Sequence, residues 1–213
     1  MLEKYIQKLA KKIFLDIFAS FFGEEIIMKY FKKVVGKRIY LSPRSPEDTE
    51  IFIKWLNDFE VTDYISKSSK IITFEGEKEF LGRQSRNSYD FSIVDLKDDN
   101  IIGTISLENI NNISRAAELG IFIGEKDYLS KGYGAEAIML VLDYGFNYLN
   151  LNSIRLQVLE FNKRAMKCYN KCGFIENGRI RKIEYLNGKY YDAILMDILR
   201  EEFNGEYIMN KNI

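Results

Sequence analysis

Apolar positions in the first 22 residues recur at three- and four-residue steps: Leu2, Tyr5, Ile6, Leu9, Ile13, Phe14, Ile17, Phe18 and Phe21. Glu3, Lys4, Gln7, Lys8, Lys11, Lys12 and Asp16 fall between them. That period predicts an amphipathic helix, breaking near Gly23 and resuming to about Val34. From Lys37 the texture changes. Residues 38–41 read as a strand, and Ser45-Pro46-Glu47-Asp48 opens a helix, with serine at the cap, proline in the first turn and an acid at the third position. Ile51, Phe52 and Trp55 share a face of that helix, which ends around Asn57; a second helix covers residues 76–87. Three β-rich runs follow, 89–95, 101–109 and 115–123, joined by short polar turns in the manner of an antiparallel meander. A 3.6-residue period returns over 133–149, with Ala137, Ile138, Val141, Gly145 and Tyr148 on one face. Ile154, Leu156 and Val158 alternate as a strand, and residues 162–172 form a short helix. Runs 174–185 and 189–199 flank Asn187-Gly188, a strong two-residue hairpin signal.

The order meander, helix, strand, helix, hairpin predicts an α/β (α+β) domain: a single mixed, mostly antiparallel central sheet flanked by helices. It is not the order of a doubly wound nucleotide fold. We divide the chain into an amphipathic helical extension (1–35), one domain (36–203) and a short tail (204–213).

Composition narrows the chemistry. Of 213 residues 46% are hydrophobic, enough for one well-filled core, and 31 basic residues balance 31 acidic ones. A net charge of zero gives no global attraction to nucleic acid, so electrostatic recognition must be local. No apolar run approaches the ~20 residues of a bilayer span, and the N-terminus lacks a signal-peptide core, so a cytoplasmic address is expected. There is no histidine. A metal site therefore lacks its usual ligands, and Ser-His and Cys-His catalysis are excluded. Cys168 and Cys172, four apart, read as small packing residues on one helical face. Any acid or base must be Glu, Asp, Tyr, Cys, Lys, a terminal amine or water.

Two stretches carry chemistry. In the first, the strand Glu118-Leu119-Gly120-Ile121-Phe122-Ile123 runs through a turn into Ser130-Lys131-Gly132-Tyr133-Gly134-Ala135, which opens a helix. Glycines there let the backbone approach a ligand, and the first helical N–H groups lack partners, which suits an anion such as a pyrophosphate. Lys131 adds a point charge. The spacing fits neither a Walker loop nor a dinucleotide fingerprint, and alone such a turn is as often structural. In the second stretch, Asn162 is a good helix cap, Tyr169 lies two turns along and Gly173 stops the helix.

In this order the two stretches resemble the GNAT superfamily of N-acetyltransferases. The coenzyme A motif appears as Gly132-Tyr133-Gly134 after the 118–123 strand. The later motif appears as Asn162-x-x-Ala165-x-x-x-Tyr169-x-x-x-Gly173-Phe174. Gly178-Arg179, the run Asn187-Gly188-Lys189-Tyr190-Tyr191-Asp192 and the opening Trp55-Leu56-Asn57-Asp58 look like the branch that includes ribosomal-protein N-terminal acetyltransferases. The family's usual Gln or Arg three positions before the first glycine is Leu129 here, which weakens one pyrophosphate contact and leaves most of the binding to the neighbouring backbone. The resemblance spans residues 37–203 and implies the acyl-CoA N-acyltransferase fold, with acetyl-CoA as cosubstrate and no metal. It implies a strand ending at Ile123 that splays from the Ile154 strand, with the pantetheine arm on Ile121, Phe122 and Ile123. The pyrophosphate would lie on Lys131, Gly132, Tyr133, Gly134 and Ala135, and Asn162 and Ala165 would lie against the cofactor. Tyr169 would be the acid for the departing thiolate. For the base, strand parity favours Glu118, with Asp58, Glu60 or a water relay as alternatives.

The acceptor stays open at this level. Asp58, Glu60 and Asp63 would suit a small-molecule or peptide amine; Arg179, Arg181 and Lys182 would suit a phosphate-bearing acceptor such as a nucleotide-linked amino sugar. A reading of another class is a non-catalytic acyl-CoA-binding scaffold. The first 35 residues carry seven lysines against four acids. Their apolar stripe could dock on the domain or on a second subunit in a homodimer, which we favour, or residues 1–22 could lie on an anionic membrane. Met28 is an alternative start, although the clean amphipathic period argues for translation from Met1.

Overall fold

Alternation along the strands sorts the core into two layers. Ile39 and Leu41 join one apolar cluster and Tyr40, between them, joins the other. The computed structural model describes residues 29–83 and 87–210; the helix expected over 2–22 lies outside the described residues. Among these the strands are β1 (Val34–Val35), β2 (Ile39–Pro43), β3 (Tyr89–Asp95), β4 (Ile101–Asn111), β5 (Ala116–Ile123), β6 (Ser153–Leu159), β7 (Ile175–Leu186) and β8 (Lys189–Leu199). They form one sheet in the order β1-β2-β3-β4-β5-β6-β8-β7, antiparallel at every step except β5–β6. This is the mixed, mostly antiparallel sheet that the sequence predicts.

One face is covered by α4 (Tyr133–Asn147) and α5 (Lys163–Lys171). Ala137, Ile138, Val141 and Leu142 of α4 are buried against Ile93, Ile105, Leu107 and Ile154. The other face carries α1 (Thr49–Leu56), the single turn α2 (Phe59–Thr62) and α3 (Phe74–Gly82). Phe52 and Trp55 pack there on Tyr40, Val94 and Phe122, with the Trp55 ring edge-on to Phe122 at 6.0 Å. Each such buried side chain contributes about 1.5–3 kcal/mol. Gly124 allows the approach, since a Cβ there would collide with the Trp55 indole.

Local signals explain the elements. The Ser45 hydroxyl accepts from Glu47 N, as its sequence position implies. The second helix begins at Phe74 rather than Gly76, because the Thr73 hydroxyl caps it by accepting from Gly76 N. Asn187 (φ 50°) and Gly188 (φ 80°) both take the left-handed conformation that a tight β7–β8 turn requires.

Two expectations need correction, and the tail shows a contact that the sequence did not announce. No helix continues to Val34: β-branched Val34 and Val35 pair with Leu41 and Tyr40, extending the sheet ahead of residue 36. The described part of the tail after residue 203 is tied to the domain. Tyr207 N and Ile208 N donate to Asp143 Oδ2 at 2.6 and 3.0 Å, and Met209 N donates to Val35 O at 2.7 Å. Asp143 is fully buried, and those two amides with the Asn147 side chain meet its charge. Tyr148 is half exposed rather than in the core, its ring stacked on Tyr144.

Candidate active site

β5 and β6 pair over only three residues, Ala116↔Ser153, Ala117↔Ile154 and Glu118↔Arg155. Beyond that step each keeps its outer partner, β5 with β4 as far as Ile123 and β6 with β8 as far as Leu159. The inner edges therefore diverge, and Leu119–Ile123 faces residues 157–159 across a cavity of about 1540 Å³. Single-ligand sites occupy roughly 300–1,000 Å³, so this one has room for two molecules. Backbone amides and carbonyls along the opened edges are free to meet an extended, amide-bearing chain.

At the rear, β5 leads into α4. Gly132 stands at the N-cap with φ 85° and offers no side chain to the first turn. Gly132, Gly134 and Ala135 line the cavity, so the N–H groups of that turn meet it at the positive end of a 15-residue helix. Lys131 and Tyr133 do not line it. Tyr133 packs edge-on against Tyr128 at 4.9 Å and beneath Arg38, whose guanidinium carbon is 4.3 Å from its ring. Arg38 also donates to Lys131 O at 3.0 Å and to Glu136 Oε2 at 2.8 Å. It is a clamp on the glycine turn that sequence reading missed, because nothing in its local pattern marks a partner 93 residues away.

On the right-hand wall, Asn162, Ala165 and Tyr169 of α5 line the cavity, as do Ile121, Phe122 and Ile123 on the left. Asn162 Oδ1 accepts from Ala165 N at 3.1 Å, which fixes the start of the helix and leaves the amide nitrogen for a ligand. Gly173, at φ 96°, ends it. Tyr169 is 9% exposed, packed edge-on against Phe174. Burial, aided by the neighbouring Cys168 and Cys172, pushes its phenol well above the usual range, so it holds its proton throughout neutral pH. Cys172 is buried and donates to Ala135 O at 3.8 Å, joining the end of α5 to the start of α4.

Glu118 is placed differently from its expected role. It sits at the closed apex of the cleft rather than in the cavity lining. Arg155 donates to its Oε1 from Nη2 at 2.7 Å and from Nε at 3.1 Å, and Asn109 Nδ2 donates to Oε2 at 2.7 Å. Parity was read correctly, but the cross-strand arginine that claims this carboxylate was invisible. Its cross-strand neighbour Glu108 also lies outside the cavity lining, but it stands against Gly120, which does line it, and sequence reading did not single it out. A Cβ on cavity-lining Gly120 would stand 3.2 Å from Glu108 Oε1 and 2.9 Å from Ser106 Oγ. The Ser106 hydroxyl donates to Glu108 at 2.6 Å. The alternation of Ser106 and Glu108 opposite Gly120 was the available signal.

Glu60, Asp63 and Glu184 also line the cavity, together with Lys126, Arg164 and the rings of Tyr64 and Phe161, whose centroids are 5.9 Å apart. Asp58 lies outside the lining. Its carboxylate takes hydrogen bonds from Lys126 (2.8 Å) and from Glu60 N, which hold its pKa low, and Lys126 also reaches Glu60 at 2.5 Å. Arg179 does not reach the cavity either: it is bound to Glu160 at 3.0 Å and Asp192 at 2.9 Å. With Arg181 and Lys182 it flanks a separate shallow depression.

Residues 38–175 match the family described as the acetyltransferase (GNAT) domain. The chain belongs to the GNAT acetyltransferases. As a GNAT protein it is an acetyl-CoA-dependent N-acetyltransferase, and the amine it acetylates is a separate question. It is 32% identical over 178 residues to the probable N-acetyltransferase YjcK of Bacillus subtilis, covering 78% of this chain and 97% of that one. It is also 32% identical over 111 residues to the putative ribosomal N-acetyltransferase YdaF of B. subtilis, over 52% of this chain and 60% of that one. Among solved structures, spermidine N-acetyltransferase from Vibrio cholerae in complex with CoA and spermine superimposes with a TM-score of 0.72 at 29% identity. That match covers 78% of this chain and 97% of that one. Among the described residues no helix is long and apolar enough to cross a membrane.

Proposed function

We propose that this GNAT enzyme acetylates a primary amine of a small polycation of the polyamine class. The observation that carries the reading is that Asp63 and Glu184, neither of them in an ion pair among the described residues, line one cavity with the cofactor cleft, while Glu60 there is paired with Lys126. Carboxylates so placed can each meet an ammonium group of such a polycation. The phosphate-bearing acceptor loses its support, because Arg179 is already held by two carboxylates. The spermidine enzyme among the structural relatives supports the same reading.

The cleft fits coenzyme A. Opened edges on β5 and β6 match the pantetheine amides, and the uncapped first turn of α4 at Gly132–Ala135 suits the pyrophosphate. Acetyl-CoA supplies the activated acyl group. Of the chain's own groups, backbone N–H donors along Ile121–Ile123 polarise the reacting carbonyl. Glu108 takes the proton that the acceptor ammonium must lose before its nitrogen attacks. Tyr169, which keeps its proton in this buried setting, protonates the departing thiolate. With no nucleophile required in between, attack is direct within a ternary complex.

The test is thiol release from acetyl-CoA against spermidine, an N-terminal peptide, an aminoglycoside and a nucleotide-linked amino sugar. Turnover fastest with spermidine supports the reading. Turnover confined to the peptide or the amino sugar would replace it.

A further inference from the structure

Glu77 turns inward from α3, whose other charged side chains are exposed. It is 4% exposed, and its Oε1 is buried without a hydrogen-bond partner. An unmatched buried carboxylate is costly, and a neighbouring cation relieves the cost. Two cations stand within its field, Lys67 and Arg44. Arg44 is already engaged, 3.7 Å from Asp90 and lying over the Phe80 ring at 4.6 Å. Lys67 is partly buried, and among the described residues it forms no ion pair. Burial pushes its ammonium down from the ordinary value, and Glu77 is the stronger of the two carboxylates that oppose the push, Glu108 being the other. Burial likewise pushes Glu77 up, and Lys67 leads the charges that oppose it. Lys67 and Glu77 are thus the unmatched opposite charges of one interior region.

Lys67 belongs to the segment between α2 and α3. Just before it, Asp63, Tyr64, Ile65 and Ser66 line the cavity. From residue 63 to residue 76 none is buried, and Ile65 and Ile72 rest only partly against the second apolar cluster. Apolar packing therefore holds this stretch weakly. Hydrogen bonds fasten its ends. Lys67 N donates to Thr62 O at 3.3 Å, closing a turn around the left-handed Ser66 (φ 55°). Ile72 N donates to Asn57 Oδ1 at 3.1 Å, and Asn57 Nδ2 donates to Ile72 O at 3.0 Å. Between those ends, the Lys67 side chain ties the wall to an interior charge.

We infer that Glu77 is a positioning residue for the amine acceptor: by attracting Lys67 from the interior, it holds residues 63–66 in place as a wall of the cavity. This deepens the reading in which that end of the cavity takes the acceptor, and rests on it. Glu77 does not itself line the cavity. Its part is to give a stretch with few buried contacts one defined place, which lowers the ordering cost when the acceptor binds. The cofactor cleft between β5 and β6 is built from other elements and does not depend on it.

The experiment compares the intact wild type with Glu77→Gln, Lys67→Met and the double variant, in steady-state kinetics with acetyl-CoA and spermidine and in amide hydrogen exchange. Thermal melting checks folding, and Lys67→Met, on a partly exposed segment, carries the test should Glu77→Gln fail to fold. In either single variant the KM for spermidine should rise about tenfold, with kcat within about threefold and the KM for acetyl-CoA unchanged. Amides of residues 63–68 should exchange about tenfold faster or more, while those of β3 and β4 keep their rates. The double variant should be no worse than either single one, because the second change removes nothing further. Lys67→Arg, which keeps the charge, should behave as wild type. Additive losses in the double variant, unmoved exchange at residues 63–68, or an equal rise in the KM for acetyl-CoA would each overturn the positioning role. A wild type that leaves spermidine unacetylated would sink the polyamine reading instead, and the exchange rates would then decide the anchor by themselves.

Discussion

Glu118 and Arg155 face each other at the last paired step of β5 and β6, joined by two hydrogen bonds of 2.7 and 3.1 Å to a single carboxylate oxygen. One residue further on, the strands part. The ion pair thus closes the apex of the cleft, and the carboxylate is engaged as a structural partner. Its neighbour Glu108 accepts a hydrogen bond from the Ser106 hydroxyl and is the base in the function we propose.

The two glutamates should therefore separate in kinetics. Glu118→Gln should leave kcat within about threefold of wild type, whereas Glu108→Gln should lower kcat by about 100-fold or more with little change in the KM for acetyl-CoA. Steady-state kinetics on both variants decide it, and the reverse ranking would return the base to Glu118.

Removing the phenol should slow chemistry without unfolding the protein. Tyr169→Phe keeps the ring packed on Phe174 and should lower kcat by about 100-fold at an unchanged melting temperature. Because burial raises the Tyr169 pKa, no alkaline fall in kcat below pH ~10 should trace to this group. Full turnover in the variant would remove the acid role.

Gly120 bears on the same chemistry from the backbone side. An alanine there would press its methyl against Ser106 Oγ and Glu108 Oε1. Gly120→Ala should lower kcat roughly tenfold or more while CoA binding, read by calorimetry, changes little.

The alkaline limit of stability follows from the tyrosines. Burial and hydrogen bonds to Asp48 and Asp99 raise Tyr30 and Tyr40, and burial with Asp95 pushes Tyr128 up to about 12. Each folded pKa lies above the unfolded value of ~10. The stability they contribute is intact below pH 10 and is lost as pH rises towards the folded values. Denaturant midpoints should fall above pH 10, and less steeply in a Tyr40→Phe protein.

Asp143 anchors the end of the chain. Asp143→Ala should loosen residues 207–210 by removing the acceptor of the Tyr207 and Ile208 amides, and should cost on the order of 3 kcal/mol. Urea unfolding measures the loss, and hydrogen exchange at Tyr207 and Ile208 locates it.

Sequence order exposed most of the architecture, because most elements carry a local signal: the cap at Ser45, the turn residues Asn187-Gly188, the alternation of β3 to β5. Gly132, Asn162 and Tyr169, singled out by the family resemblance, line one cavity, and their places at the start or along a helix were legible from local pattern. What stayed hidden depends on partners distant in sequence. Arg155 is 37 residues from Glu118, and Tyr207 is 64 from Asp143. Arg179 looked free until Glu160 and Asp192 met it across β8. Spacing reports which face a side chain takes, but the partner that neutralises it is settled only when strands pair.

The most direct test of the account is mass analysis of spermidine incubated with acetyl-CoA and enzyme, alongside the amount of thiol released. The account predicts one acetyl group gained by spermidine for each thiol released, with both falling together in the Glu108→Gln protein. Thiol release without acetylated spermidine, or undiminished acetylation by that variant, would contradict it.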